Sequence, residues 1–80
     1  GVPDDMLEID LSAEGEGLSI VQALKQAGLT VGTSEAIRMI QQGGVRANGE
    51  KVSDKGLLLP KGAVLVLQVG KRKFARVTIA

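Results

Sequence analysis

The dipeptide Asn48-Gly49 constrains this chain more than any other feature. It stands between two short runs, Val45-Arg46-Ala47 and Glu50-Lys51-Val52. Both of its residues tolerate the positive φ that a two-residue hairpin turn demands. Such a turn fixes the register, so that Ala47 faces Glu50, Arg46 faces Lys51 and Val45 faces Val52. Period-two alternation then places Val45, Ala47 and Val52 on one face of the hairpin and both cations on the other. Like charges directly opposite each other are unfavourable by roughly a few tenths of a kcal/mol. Either the two long side chains splay into solvent, or an external anion between them turns the repulsion into attraction.

Helical signals precede the hairpin. Ser19 followed by Gln22 fits a capping box, and Ile20, Leu24 and Ala27 recur at helical spacing until Gly28. This predicts a first helix over about Ser19 to Ala27. Thr33 or Gly32 can cap a second over about Ser34 to Gln42, with Glu35 near the positive end of its dipole. Its apolar stripe is Ala36, Ile37 and Ile40, and Gly43-Gly44 ends it. Strand signals follow. Asp54-Lys55-Gly56 and Pro60-Lys61-Gly62 mark turns around Leu57-Leu58-Leu59, and Ala63 to Val69 reads as a buried strand. A last strand, about Lys73 to Ile79, returns from a turn near Gly70-Lys71. At the front Leu7, Ile9 and Leu11 alternate, so residues 1–17 read as an acidic linker ending in an edge strand and residues 18–80 as the domain. The order predicts an α+β fold: two short helices followed by a β-hairpin and further antiparallel strands.

Eighty residues, 44% of them apolar, suffice for one small core. The absence of cysteine and histidine removes disulfides, thiolate or imidazole metal sites and the commonest general base. The apolar runs are far shorter than the roughly 20 residues a membrane helix needs, which predicts a soluble chain without a membrane partner. The expected location is the cytoplasm, or the mitochondrion for an organellar parent. The start at Gly1-Val2-Pro3 suggests a domain excised from a longer polypeptide. Charge is unevenly divided. Asp4, Asp5, Glu8, Asp10, Glu14 and Glu16 lie in residues 1–17 without a Lys or Arg, whereas all ten Lys and Arg follow, against Glu35, Glu50 and Asp54. That division fits an ordinary basic surface behind an acidic linker, or a body that attracts polyanions.

The cations fall in three places. On the second helix Ser34, Arg38 and Gln41 share a polar stripe with Gln42 beside them. The start of that helix offers the Ser34 and Glu35 N–H groups to a phosphate, opposed by the Glu35 carboxylate. Arg46 and Lys51 sit on the hairpin, and Lys71-Arg72-Lys73, with Arg76 close behind, form a basic turn. Single-strand binders stack bases on aromatic rings, and this chain has Phe74 alone, which its apolar surroundings assign to the core. Structured RNA read through backbone and shape is therefore the better fit. No phosphate-binding P-loop, dinucleotide fingerprint or nucleophile–base set is present, and Asp4-Asp5 reads as solvated linker.

The run from Thr33 to Ile40, leading through Gly43-Gly44-Val45-Arg46 to Asn48-Gly49-Glu50-Lys51-Val52, resembles the RNA-binding module named after ribosomal small-subunit protein four. This alpha-L motif is a helix pair followed by a hairpin, and the resemblance covers about Leu18 to Leu67. The flanks, Pro3-Asp4-Asp5 and Gly70 to Val77, are similar to the C-terminal domain of bacterial tyrosyl-tRNA synthetases. The resemblance implies a domain that grips tyrosine-specific tRNA near its long variable arm and anticodon stem. A separate N-terminal catalytic domain of the same chain would activate tyrosine with ATP, leaving this fragment without catalytic residue, metal or cofactor. Carried over by position, the RNA-facing residues are Ser34, Arg38, Gln42, Arg46, Lys51, Lys71, Arg72 and Lys73. The family often has a basic residue where Thr33 stands and another where Ile37 stands, so two phosphate contacts are missing and a lower affinity is implied. Three rivals remain. One is the same module on a ribosomal RNA-modifying enzyme or stress protein. Another is a helix-turn-helix DNA binder with its turn at Leu29 to Thr33, and the third is a protein-interaction domain using an apolar face around Leu57 to Leu59.

Overall fold

Ser19 starts the first helix as its spacing to Gln22 predicts. In the computed structural model, which describes residues 6–13 and 15–80, its hydroxyl accepts the Gln22 N–H at 3.2 Å. Helix α1 (Ile20–Gln26) ends at Gly28, whose φ of +75° lets its N–H reach the Lys25 carbonyl at 3.0 Å while Leu29 N–H reaches that of Leu24 at 3.0 Å. Helix α2 (Thr33–Gln41) closes in the same way: Gly43 at φ +77° donates to Ile40, and Gly44 donates to Met39. Of the two predicted caps for α2, Gly32 takes the position and Thr33 becomes the first helical residue. The helix therefore begins and ends one residue earlier than expected.

Among the described residues seven strands accompany the helices. They are β1 (Leu7–Leu11), β2 (Gly17–Ser19), β3 (Val45–Ala47), β4 (Glu50–Lys51), β5 (Leu58–Pro60), β6 (Val64–Val69) and β7 (Lys73–Ile79). The main sheet has the order β1-β7-β6-β3-β4. Arg46 pairs with Lys51 and Ala47 with Glu50, the register dictated by the Asn48-Gly49 turn. Strand β1 lies at the edge of the main sheet and runs parallel to β7. No tight turn joins these two strands; most of the domain lies between them, so their direction is set by packing and not by a hairpin. Of the acidic segment, residues 1–5 and 14, with Asp4, Asp5 and Glu14, lie outside the described residues.

Among the described residues the sheet is covered on one face only. Val45, Leu67, Val69, Ala75, Val77 and Ile79 are buried in one cluster with Ile20, Leu24, Ala36 and Ile40 of the helices. The opposite face carries the alternate residues, among them Arg46, Gln68, Phe74 and Arg76. Two expectations change for this reason. The strand from Ala63 to Val69 is buried on one side, with Val64 57% exposed on the other. Phe74 is half-buried on the open face and does not join the core.

A second, two-stranded sheet pairs β2 with β5, through Leu18 opposite Leu59. These three-residue strands are too short to show a period, and β2 is not signalled locally. Leu59 is buried, Leu57 half-buried and Leu58 exposed, so the three leucines do not form a common apolar face. Gly17 makes this pairing fit: it is buried, and a Cβ there would collide with the Leu59 carbonyl oxygen and meet Leu58 Cγ at 3.0 Å. Because the obstacle is backbone, Gly17→Ala is expected to destabilise the fold by about 1–3 kcal/mol. Urea denaturation checks this, and a loss below about 0.5 kcal/mol would show that the small sheet can separate freely.

Candidate nucleic-acid interface

The hairpin turn is held from below. Asn48 at φ +52° and Gly49 at +84° form the turn. The Asn48 N–H donates to the Val66 carbonyl at 2.8 Å, and its side-chain oxygen accepts the Val66 N–H at 2.9 Å. The turn that sets the Arg46–Lys51 register is thus anchored on β6. Both cations are exposed, and they part in different directions. Arg46 donates to the Gly49 carbonyl at 3.2 Å, whereas the Lys51 side chain lies over Gly43. A Cβ at Gly43 would come within 2.7 Å of Lys51 Cε and 3.0 Å of Nζ. That position sets the ammonium beside the C-terminal end of α2, where the helix dipole is negative. Splaying therefore relieves the cross-strand repulsion without burying either charge.

The basic turn after β6 is tied to the same place. Gly70 N–H donates to the Gly44 carbonyl at 2.8 Å, which joins the turn to the α2–β3 connection. Between them lies an open groove of about 450 Å³ lined by Gly43, Gly44, Arg46, Gln68, Gly70 and Lys71. Its lining has two cations and no acid, with Lys51 over one rim at Gly43. Arg46, Lys51 and Lys71, drawn from three separate segments, are thus brought together.

The other predicted residues are placed less uniformly. Ser34, Arg38 and Gln42 are all exposed along α2, and Gln42 adjoins Gly43 at the groove. Ser34, eight residues back, is about 12 Å away along the helix. Arg38 Nη2 lies 3.8 Å from Glu35 Oε2, and Glu35 Oε1 accepts the Val31 N–H at 2.9 Å. Glu35 therefore occupies the start of α2, the place a phosphate would need. Arg72 is exposed on the basic turn. Lys73 pairs with Val69, and alternation puts it on the side of Ala75 and Val77, away from Arg46. Arg76 is held by Glu8 at 3.1 Å on the open face. As the recognition helix of a DNA binder, α2 would offer only Arg38, already engaged by Glu35.

Gln68 was not singled out from the sequence, although it lines the groove and pairs with Arg46 across the strands. The signal was present: it is the one polar residue of β6, at the alternate positions shared with Val64 and Val66. Among the described residues no three acidic side chains gather into a group able to hold a metal ion.

The model of the S4 domain matches residues 19–65, from the α1 cap into β6. The chain belongs to the S4 domain family, a family of RNA-binding domains. Within it, the chain is similar to a tyrosine–tRNA ligase of Nitrosospira multiformis, 63% identical over 79 residues that make up 99% of this chain and 20% of the relative. A tyrosine–tRNA ligase of Thiobacillus denitrificans is 60% identical over 78 residues, covering 98% of this chain and 20% of that protein. The chain thus spans about a fifth of the length of these curated relatives. The solution structure of a tyrosyl-tRNA synthetase C-terminal domain superposes with a TM-score of 0.69 at 28% identity, covering 90% of this chain and 78% of that one.

Proposed function

We propose that this domain binds tyrosine-specific tRNA, at the long variable arm and anticodon stem, on behalf of a tyrosine–tRNA ligase. The observation that carries the reading is the convergence of Arg46, Lys51 and Lys71 on one acid-free groove at the end of α2. Three cations around one groove suit successive phosphates, and phosphate contacts position an RNA without reading its bases. The domain needs no cofactor for this role. ATP and tyrosine belong to an N-terminal catalytic domain, whose acceptor-end chemistry this appendage would align, in the cytoplasm or, for an organellar enzyme, the mitochondrion. Similarity to the two ligases and to the synthetase C-terminal domain supports the choice of tRNA over other structured RNA.

Replacing Arg46 and Lys51 together with Ala tests this. Both are exposed, so stability is expected to change by about 0.5 kcal/mol or less. Affinity for a tRNA with a long variable arm is expected to fall about tenfold or more, read by titration with labelled RNA. A collapse of the melting temperature with unchanged affinity would make the pair structural. Unmodified protein should also prefer that tRNA to an unstructured strand of equal length at the same salt. Equal competition would reduce the interface to nonspecific charge attraction.

A further inference from the structure

The chain's one aromatic ring is not in the core. Phe74 is half-buried on the open face of the sheet, where with Asn48, Gly49, Val66 and Gln68 it lines a recess of about 330 Å³. The recess has an apolar floor and two amide groups at its rim. Asn48 uses its side-chain oxygen to hold Val66 N–H, and its amide nitrogen makes no hydrogen bond among the described residues. Gln68 donates from its amide nitrogen to the Gly70 carbonyl at 2.9 Å, which leaves its oxygen as an acceptor. A ring face, one free donor and one free acceptor are what a planar heterocycle with a polar edge requires.

The neighbourhood selects the heterocycle. Arg46, Gln68 and Phe74 lie in one cross-strand row on β3, β6 and β7, so Arg46 and Phe74 are about 10 Å apart, two strand spacings. Gln68 lines both the recess and the cationic groove. A nucleotide whose phosphate lies with Arg46 and Lys71 would have its base over Phe74. We infer that this recess seats one unpaired base of the bound RNA, stacked on Phe74 with its edge toward Asn48 and Gln68. The inference rests on the RNA-binding reading above and adds a base contact to an interface otherwise made of phosphate contacts. Gly49, beside the recess, has nothing within 4 Å of where a Cβ would stand, so entry from the hairpin side is open.

The test uses a tyrosine tRNA transcript carrying 2-aminopurine at each of its unpaired positions in turn, with a fully paired RNA duplex as control. The unmodified protein is expected to quench the probe at one position, because stacking quenches its fluorescence. Phe74→Leu is expected to weaken transcript binding about tenfold and duplex binding less than twofold, and Phe74→Tyr to restore the transcript affinity. An equal effect of Phe74→Leu on both RNAs, or on neither, overturns the seat while leaving groove binding intact. Failure of the Arg46→Ala, Lys51→Ala variant to weaken either RNA would instead overturn the RNA-binding reading itself. Should Phe74→Leu not fold, the probe on unmodified protein decides: a transcript that binds with no position quenched overturns the proposal.

Discussion

Raising monovalent salt from about 50 to 200 mM is expected to weaken tRNA binding by roughly 60- to 1000-fold, a log–log slope on the order of −3 to −5. Each phosphate neutralised by a Lys or Arg releases condensed counterions, so the slope counts contacts. Arg46, Lys51 and Lys71 meet at the groove, with Arg72 on the adjoining turn, and these four account for most of the expected slope. Arg38 and Lys73 contribute less, the first because Glu35 competes for it and the second because it lies toward the other side of the sheet. The same geometry separates two single variants. Lys71→Ala should make the slope shallower by about one, whereas Arg76→Ala should leave it unchanged because Glu8 already holds that guanidinium. A slope shallower than about −2 for the unmodified protein would mean that the groove does not engage phosphates as a set.

Leu67→Ala is expected to cost about 3–5 kcal/mol, at the upper end for truncations in a core. Leu67 is fully buried at the centre of β6, and its cross-strand neighbours on the same face are Ala47 on one side and Ala75 on the other. The leucine fills the space that two small residues leave. Its removal would create a row of three alanines across β3, β6 and β7, so a cavity term persists. A domain of this size has about 4–12 kcal/mol of stability in total, so the variant should be partly unfolded near physiological temperature. Urea titration followed by circular dichroism measures the loss, and a change below about 1.5 kcal/mol would show that the helices settle onto the sheet and close the gap.

The proposed RNA surface is coupled to that core through backbone. Gly44, whose carbonyl receives Gly70, directly precedes buried Val45, and the Asn48 turn is fastened to Val66 one residue from Leu67. Arg46 is therefore presented by a strand whose inward Val45 is fully buried, and Lys71 by the turn that follows buried Val69. Long side chains on such a base spend their remaining freedom at their tips, which suits phosphate contacts that need position more than exact orientation.

How much of this was legible beforehand depends on the range of each interaction. The Ser19 cap, the glycine ends of both helices, the Arg46–Lys51 register and the span of β7 are each written in a few adjacent residues, and the structure reproduces them with shifts of a residue at most. Local φ preference and side-chain alternation suffice for such elements, because the competing conformations differ within a single turn or strand. The family assignment draws on the same stretch, from the first helix to the strand after the hairpin. What the sequence by itself did not determine are contacts between distant segments. The parallel pairing of β1 with β7, the β2–β5 sheet, Lys51 lying over Gly43, and the Gly70–Gly44 bond that brings Lys71 to Arg46 all belong to this group. Phe74 shows the reason most directly. Alternation assigns it to one of two sheet faces, but an apolar strand does not say which face the helices will cover; only the packed molecule decides that the ring is left on the open side, next to the cations.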